Sequence, residues 1–504
     1  MFEKDDVSWW KPVVFAAMAG GMGWGIRGQY GHESGAMNAG VLVSLTLCFW
    51  MCRMMPMGQV VRAAAMGILA MGFGGSMTYG ANLGLTQDAA FVGNWAALRW
   101  GLLGVFIKWG ILISFFALFF SIGLSGIRYR GRDILLVMVL AVLTFPLGIW
   151  LLNMPFDSDP ANKVLPKIMF SCIWLFNNEM DYKPRFECWG GLLVSLGVVF
   201  SYASFLKKDA LVRNMALWGF LGGGLGFMLG QCLQAWNAWN PGVYEASFMG
   251  DIYINWWNLM ETTFGTIMGG IVALGLWLNR EKIQLKPEAD IKEFCIPVAF
   301  EIVLIMAHFI MLACLEFYYV PVIELLYGFG LPMLFIPMVS ILGGRWMAYL
   351  VVFPLTLQTI AGKTLKHVMF HKVDGELMLN EGAHIVLPWM SNDAPATMAM
   401  NIGLASFVYV VVPLAISVGA AIFFCRKHQG AEEGHLFAGI ALVITGWSFF
   451  LLNWAVFNNP WPWQTWGTRH SSGFWFTVCI FVLTAMVLFM KRRPALPGTG
   501  ESNE

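Results

Sequence analysis

Between Trp100 and Leu124 the chain reads WGLLGVFIKWGILISFFALFFSIGL, with Lys108 as its one charged residue. A helix that crosses a bilayer takes about 20 predominantly apolar residues, and this run is long enough. It does not alternate, so it cannot serve as a membrane barrel strand, whose apolar and polar residues alternate over about 10 positions. Similar runs begin near Pro12, Ala36, Ala63, Ile134, Cys188, Asn214, Asn258, Phe294, Tyr327, Trp346, Met398, Leu436 and Gly473. The expected fold is therefore all-α, a polytopic membrane bundle of about 14 transmembrane helices. The stretch from Tyr327 to Gly362 reads either as two spans or as a re-entrant element.

The composition agrees. Of 504 residues, 58% are hydrophobic and 12% charged. Soluble domains carry about 25% charged residues, so this surface is made for lipid. Fourteen spans of about 20 residues would use about 280 positions, close to the apolar share. A net charge of +1 leaves no concentrated basic face and argues against nucleic acid as a partner. The expected partners are the lipid bilayer and a small-molecule solute. The nine cysteines form no CxxC pair. Cys48, Cys172, Cys314 and Cys479 lie in apolar runs and read as packing residues. The stretch Met1 to Lys11 lacks the basic start and cleavage site of a secretory signal, so the first apolar segment reads as retained.

Residues 1–493 read as a single transmembrane domain, with repeat halves at 12–206 and 214–425, an extra hairpin at 436–490 and a disordered tail at 494–504. Basic residues recur in alternate connections. They are Arg53 and Arg62; Arg128, Arg130 and Arg132; Lys207, Lys208 and Arg213; Arg280, Lys282, Lys286 and Lys292; Arg426 and Lys427; and Lys491 to Arg493. The positive-inside rule puts these connections and both termini in the cytoplasm, and the protein in the inner membrane. Long stretches around Lys163 to Arg185 and Lys363 to Thr397 depart from that pattern. The remaining connections are rich in Trp, Asn, Gly and Pro, as in QAWNAWNPGVYEASFMGDIYINWW at 234–257.

Three hairpins share features that suggest parallel duplication. Gly20 to Gln29 reads GGMGWGIRGQ, and Gly223 to Gln231 reads GGLGFMLGQ. Gly72 to Gly75 opens a third, similar helix end. Asn94-Trp95 leads to Gly104 at the spacing by which Asn255-Trp256 leads to Gly265. His32-Glu33-Ser34-Gly35 resembles His470-Ser471-Ser472-Gly473, with the serine placed to cap a returning helix.

The chemistry-bearing residues concentrate at the polar turns. Arg27, Gln29, His32 and Glu33 interrupt the first apolar region where Gly crowds the helix end. Irregular backbone at membrane depth is tolerable only inside protein or beside a wet cavity. Arg27 there must pair with Glu33, with another carboxylate or with substrate. Arg27, Gln29, Gln231, Trp236, Trp256 and Arg469 form the candidate substrate-binding set. The Trp clusters can stack on a sugar ring or an organic cation, or can sit as an interfacial belt. Glu301 and His308, seven apart on one apolar run, are the candidate coupling pair for H⁺ or Na⁺. Glu261 is a further acid inside a span, and Lys108 reads as a snorkelling base. No phosphate-binding loop, zinc HExxH or GxSxG elbow occurs, and His367 with His371 lacks a third ligand. No cofactor and no metal are expected.

Two functions fit. One is a secondary transporter of a small polar, anionic or sugar-like solute. The other is a membrane transferase acting on a lipid-linked or envelope substrate at the outer face. In the second, His32, Glu33, Asp88 and His470 would be the catalytic candidates.

Overall fold

A computed structural model describes residues 7–27, 32–53, 55–75, 82–153, 188–285, 434–451 and 470–490, with short pieces of 297–322 and 370–415. Its helices are α1 (Trp10–Gly25), α2 (His32–Met51), α3 (Met57–Gly75), α4 (Asn82–Gln87), α5 (Trp95–Leu124) and α6 (Gly131–Gly148). They continue with α7 (Trp189–Ser201), α8 (Ala210–Trp239), α9 (Trp256–Leu278), α10 (Gly434–Leu451) and α11 (His470–Met490). Among the described residues, 7 helical segments are long and apolar enough to cross a membrane, and the shorter Gly35–Met51 and Gly434–Phe450 are also apolar. The chain is an integral membrane protein with a helical body. The spans expected from Tyr327 and Trp346 fall outside the described residues, and the one expected from Phe294 is described only in short helical pieces.

Short ladders are the exception to helix. Phe370–Val373 (β1) pairs antiparallel with Glu376–Leu379 (β2), and His384–Ile385 (β3) with Met398–Ala399 (β4). The helix expected from Met398 therefore begins beyond it.

Side-chain caps fix several helix starts. Asn94 Oδ1 accepts from the Ala96 and Ala97 N–H groups at the head of α5. Asn255 Oδ1 accepts from Trp257 and Asn258 in the same way at the head of α9. Asp209 Oδ1 accepts from Val212 N at the head of α8. Each satisfies N–H groups that the first helical turn leaves open. The serine caps expected before Gly35 and Gly473 are not found. Helices α2 and α11 begin at His32 and His470, which puts Ser34 and Ser472 inside the first turn. Ser472 Oγ instead accepts from Asn258 Nδ2 at 3.3 Å.

Helices α1, α2, α3, α5, α8 and α9 pack each against the next, and α9 closes back on α1. Successive members of this ring run in opposite directions. It draws on both of the halves expected from sequence. Helices α6 and α7 pair beside α5, while α10 and α11 cover α2 and α1. The outer pair faces lipid: Leu136, Leu143, Leu147 and Trp150 of the α6 segment are exposed. Glycine sets the closest crossings. A Cβ on Gly20 would run into the Gly265 carbonyl, and one on Gly265 into that of Gly20. A Cβ on Gly223 would likewise meet the Trp109 carbonyl. Close backbone contact of this kind is how helices associate where lipid removes the hydrophobic drive.

Among the described residues, the basic connections after α2, α5, α7 and α9 share one end of the bundle, as expected. Lys207 Nζ pairs with Asp133 Oδ2 at 2.7 Å, and Tyr129 donates to Asp209 at 3.1 Å. Gln59 Nε2 donates to the Gly123 and Gln284 carbonyls at 3.3 and 2.9 Å. Asn214 Nδ2 donates to Asn279 Oδ1 at 2.7 Å. The Trp- and Asn-rich connections of α4 to α5 and α8 to α9 lie at the other end.

Candidate functional site

Arg27 follows the last turn of α1, and Glu261 lies in the second turn of α9. The α1–α9 glycine crossing brings these helices close enough for Arg27 Nη1 to reach Glu261 Oε1 at 3.1 Å. The two side chains are 2% and 6% exposed, so the pair is sealed inside the ring. Of the partners open to Arg27 on sequence, the carboxylate of Glu261 is one the fold supplies. Gly35 of α2 leaves room for the arginine stem, since a Cβ there would strike Arg27.

Beneath the pair lies an aromatic floor. The guanidinium carbon is 5.0 Å from the Trp24 ring centre and 5.8 Å from that of Trp109. Trp109 stacks on Phe227 at 3.9 Å, and Phe264 meets Trp24 edge-on at 4.7 Å. Trp24 and Trp109 come from α1 and α5, which are not neighbours in the ring, so these rings fill its interior. Cation–π attraction steadies a charged group in such a place. One helical turn below Gly35, buried Asn38 has no hydrogen-bond partner on either amide atom among the described residues.

Above the pair, at the Trp-rich end, is an open cavity of about 480 Å³. It is lined by Gln87, Asp88, Gln234, Asn237, Ala238, Tyr253, Ile254, Asn255, Trp256 and Trp257. Trp257 stands one turn before Glu261 on α9, so the cavity and the ion pair share a face of that helix. Gln231 ties the lining together: its Nε2 donates to Thr86 Oγ1 at 2.7 Å and Gln87 Oε1 at 3.2 Å. Trp239 Nε1 donates to the Thr86 carbonyl at 2.9 Å. Asp88 hangs from the turn after α4, where burial pushes its carboxyl up to about 6.

The fold thus brings Asp88 and Trp256 to one cavity, Gln231 beneath it, and Arg27 deeper in the ring. Trp236 is exposed, with its ring 5.8 Å from that of Trp256. Gln29, Glu301, His308 and Arg469 lie outside the described residues, as do the side chains of His32, Glu33 and His470. Lys108 does not snorkel. It is fully buried, with Nζ 5.9 Å from the Trp189 ring, because α7 covers that face of α5. Sequence reasoning passed over Gln234, Gln87 and Tyr253, which no motif distinguishes from other polar residues near helix ends. Among the described residues no cluster of His, Cys, Asp or Glu fits a metal ion.

No family model matches the chain, and neither a curated protein nor a solved structure is similar to it.

Proposed function

We propose that this protein is a secondary transporter of a small polar solute, with Arg27 and Glu261 as its gate. The observation that carries this reading is the ion pair sealed within a closed ring of apolar helices, directly below a polar cavity. Burying both charges costs several kcal/mol per ion, so hydrophobic residues would serve a purely structural crossing as well or better. Ionisable groups at such positions line solute and proton pathways by preference. The solute enters at the Trp-rich end. A coupling H⁺ or Na⁺ arriving at Glu261 weakens its hold on Arg27 and so opens the gate below the cavity. Glu301 and His308 serve the same coupling path further along the chain. The aromatic floor of Trp24, Trp109, Phe227 and Phe264 closes the far side until the helices shift. By the positive-inside rule the basic end and both termini are cytoplasmic, and the cavity opens outward.

One observation favours a transferase instead. The cavity lies at the rim of the bundle, whereas carriers hold solute near the midplane. His32 or His470 would then act as general base toward an envelope substrate, helped by Glu33, Asp88 or Asp251. Uptake by proteoliposomes under an imposed proton or sodium gradient decides between them. Gradient-driven accumulation that Glu261→Gln abolishes is the expected result. Absence of any uptake, with chemical modification of a lipid-linked acceptor by the same protein, overturns transport.

A further inference from the structure

The cavity is walled by side-chain amides, one carboxylate and aromatic rings. Among the described residues, no lysine, arginine or histidine lines it. Gln234 is 5% exposed, yet its Oε1 has no hydrogen-bond partner among the described residues. Asp88 forms no ion pair with any described residue. Its carboxyl lies against Gly84, where a Cβ would meet Oδ2 at 2.5 Å, and burial raises its proton affinity. Asn255 Oδ1 is already committed to the Trp257 and Asn258 N–H groups, whereas Gln234 Oε1 and the Asp88 carboxylate are among the acceptors left to a ligand. Trp256 and Trp257 add two indoles to the wall, and their π faces attract cations.

We infer that this cavity binds its solute through a primary ammonium group, whose N–H donors go to Asp88 and Gln234 Oε1 beside Trp256 and Trp257. A primary ammonium has three donors and one positive charge, which complements a carboxylate and an orphaned amide oxygen. A quaternary ammonium keeps the charge but has no donor for Gln234. A neutral polyol has donors but leaves the carboxylate uncompensated. An anion meets Asp88 as a like charge.

This inference deepens the transport reading by naming the solute class, and its test separates the two. Full-length protein in nanodiscs is titrated with ethanolamine, choline, glycerol and acetate at neutral pH, with no gradient present. Ethanolamine should bind saturably, and about tenfold more tightly than choline, as befits a lost hydrogen bond to a charged donor. Asp88→Asn should weaken ethanolamine by about tenfold or more, and Gln234→Met by several fold. Should either variant fold poorly, Asn237→Cys on the native background keeps the test. Ethanolamine should slow alkylation of that cysteine, and glycerol should not. Absence of ethanolamine binding, or equal binding of choline or glycerol, overturns the assignment even where other solutes are transported. Asp88-dependent ethanolamine binding without uptake of any solute leaves the site standing and removes transport.

Discussion

Removing both members of the Arg27–Glu261 pair should cost less than the sum of removing each alone. The groups are 3.1 Å apart with side chains 2% and 6% exposed. Unit charges at 4 Å attract by about 4 kcal/mol at an effective dielectric of 20, and these are closer. Stranding one partner of a buried pair typically costs about 3–5 kcal/mol, because the other charge stays buried and uncompensated. Arg27→Gln also forfeits the contacts with Trp24 and Trp109, worth about 0.5–2 kcal/mol. Arg27→Gln and Glu261→Gln should therefore each destabilise by about 3–5 kcal/mol, while the double variant falls short of their sum by about 2 kcal/mol or more. Arg27→Lys keeps the charge but loses the planar stack, and should lie between wild type and Arg27→Gln. The measurement is equilibrium unfolding in mixed micelles, for all variants in parallel. Additivity within about 0.5 kcal/mol would refute the argument, since distant independent sites behave that way.

Gly20→Val should reduce folded yield sharply, because its Cβ meets the Gly265 carbonyl, and overpacking costs about 1–3 kcal/mol even where neighbours can shift. Size-exclusion recovery reads this, with exposed Leu143→Val as the tolerated comparison. Among the described residues, Asp88 and Tyr253 are the titratable ones lining the cavity. With the Asp88 carboxyl raised to about 6, the folded protein holds a proton that the unfolded chain releases. Its contribution to stability is thus present at low pH and lost as pH rises through about 6. The melting temperature of Asp88→Asn should lack that decline, and ethanolamine affinity of the native chain should rise over the same interval. For orientation, Asn237→Cys should react with an impermeant maleimide in intact cells, and Glu281→Cys only after permeabilisation. The reverse pattern would invert the topology.

Span positions were legible because lipid writes them as long apolar runs. Helices α1, α3, α5, α8 and α9 begin at Trp10, Met57, Trp95, Ala210 and Trp256, each a few residues before the start of its apolar run. The shifts at α5 and α9 come from Asn94 and Asn255, polar caps that begin a helix before its hydrophobic stretch does. The shared Asn-Trp signature was visible, and its meaning is this common cap. Ring closure was not legible. It rests on α9 meeting α1 through Gly20 and Gly265, and nothing local tells a crossing glycine from a helix-weakening one. For the same reason the partner of Arg27 could be narrowed to a carboxylate but not to Glu261. Gln234 escaped notice because an amide matters here only by what fails to bond it.

Closure of the ring also dictates an order of biogenesis. Arg27 precedes Glu261 by 234 residues, so it reaches the membrane well before Glu261 exists. At roughly 5–20 residues per second, synthesis leaves an interval on the order of 10–50 s. An arginine at bilayer depth costs about 2.5–3.5 kcal/mol on insertion scales, and in that interval Glu261 cannot offset it. The α1–α2 hairpin therefore gains its contact with Glu261 only once α9 is made. Any nascent chain cut short before α9 presents cellular quality control with an open ring and an arginine that has not yet met Glu261.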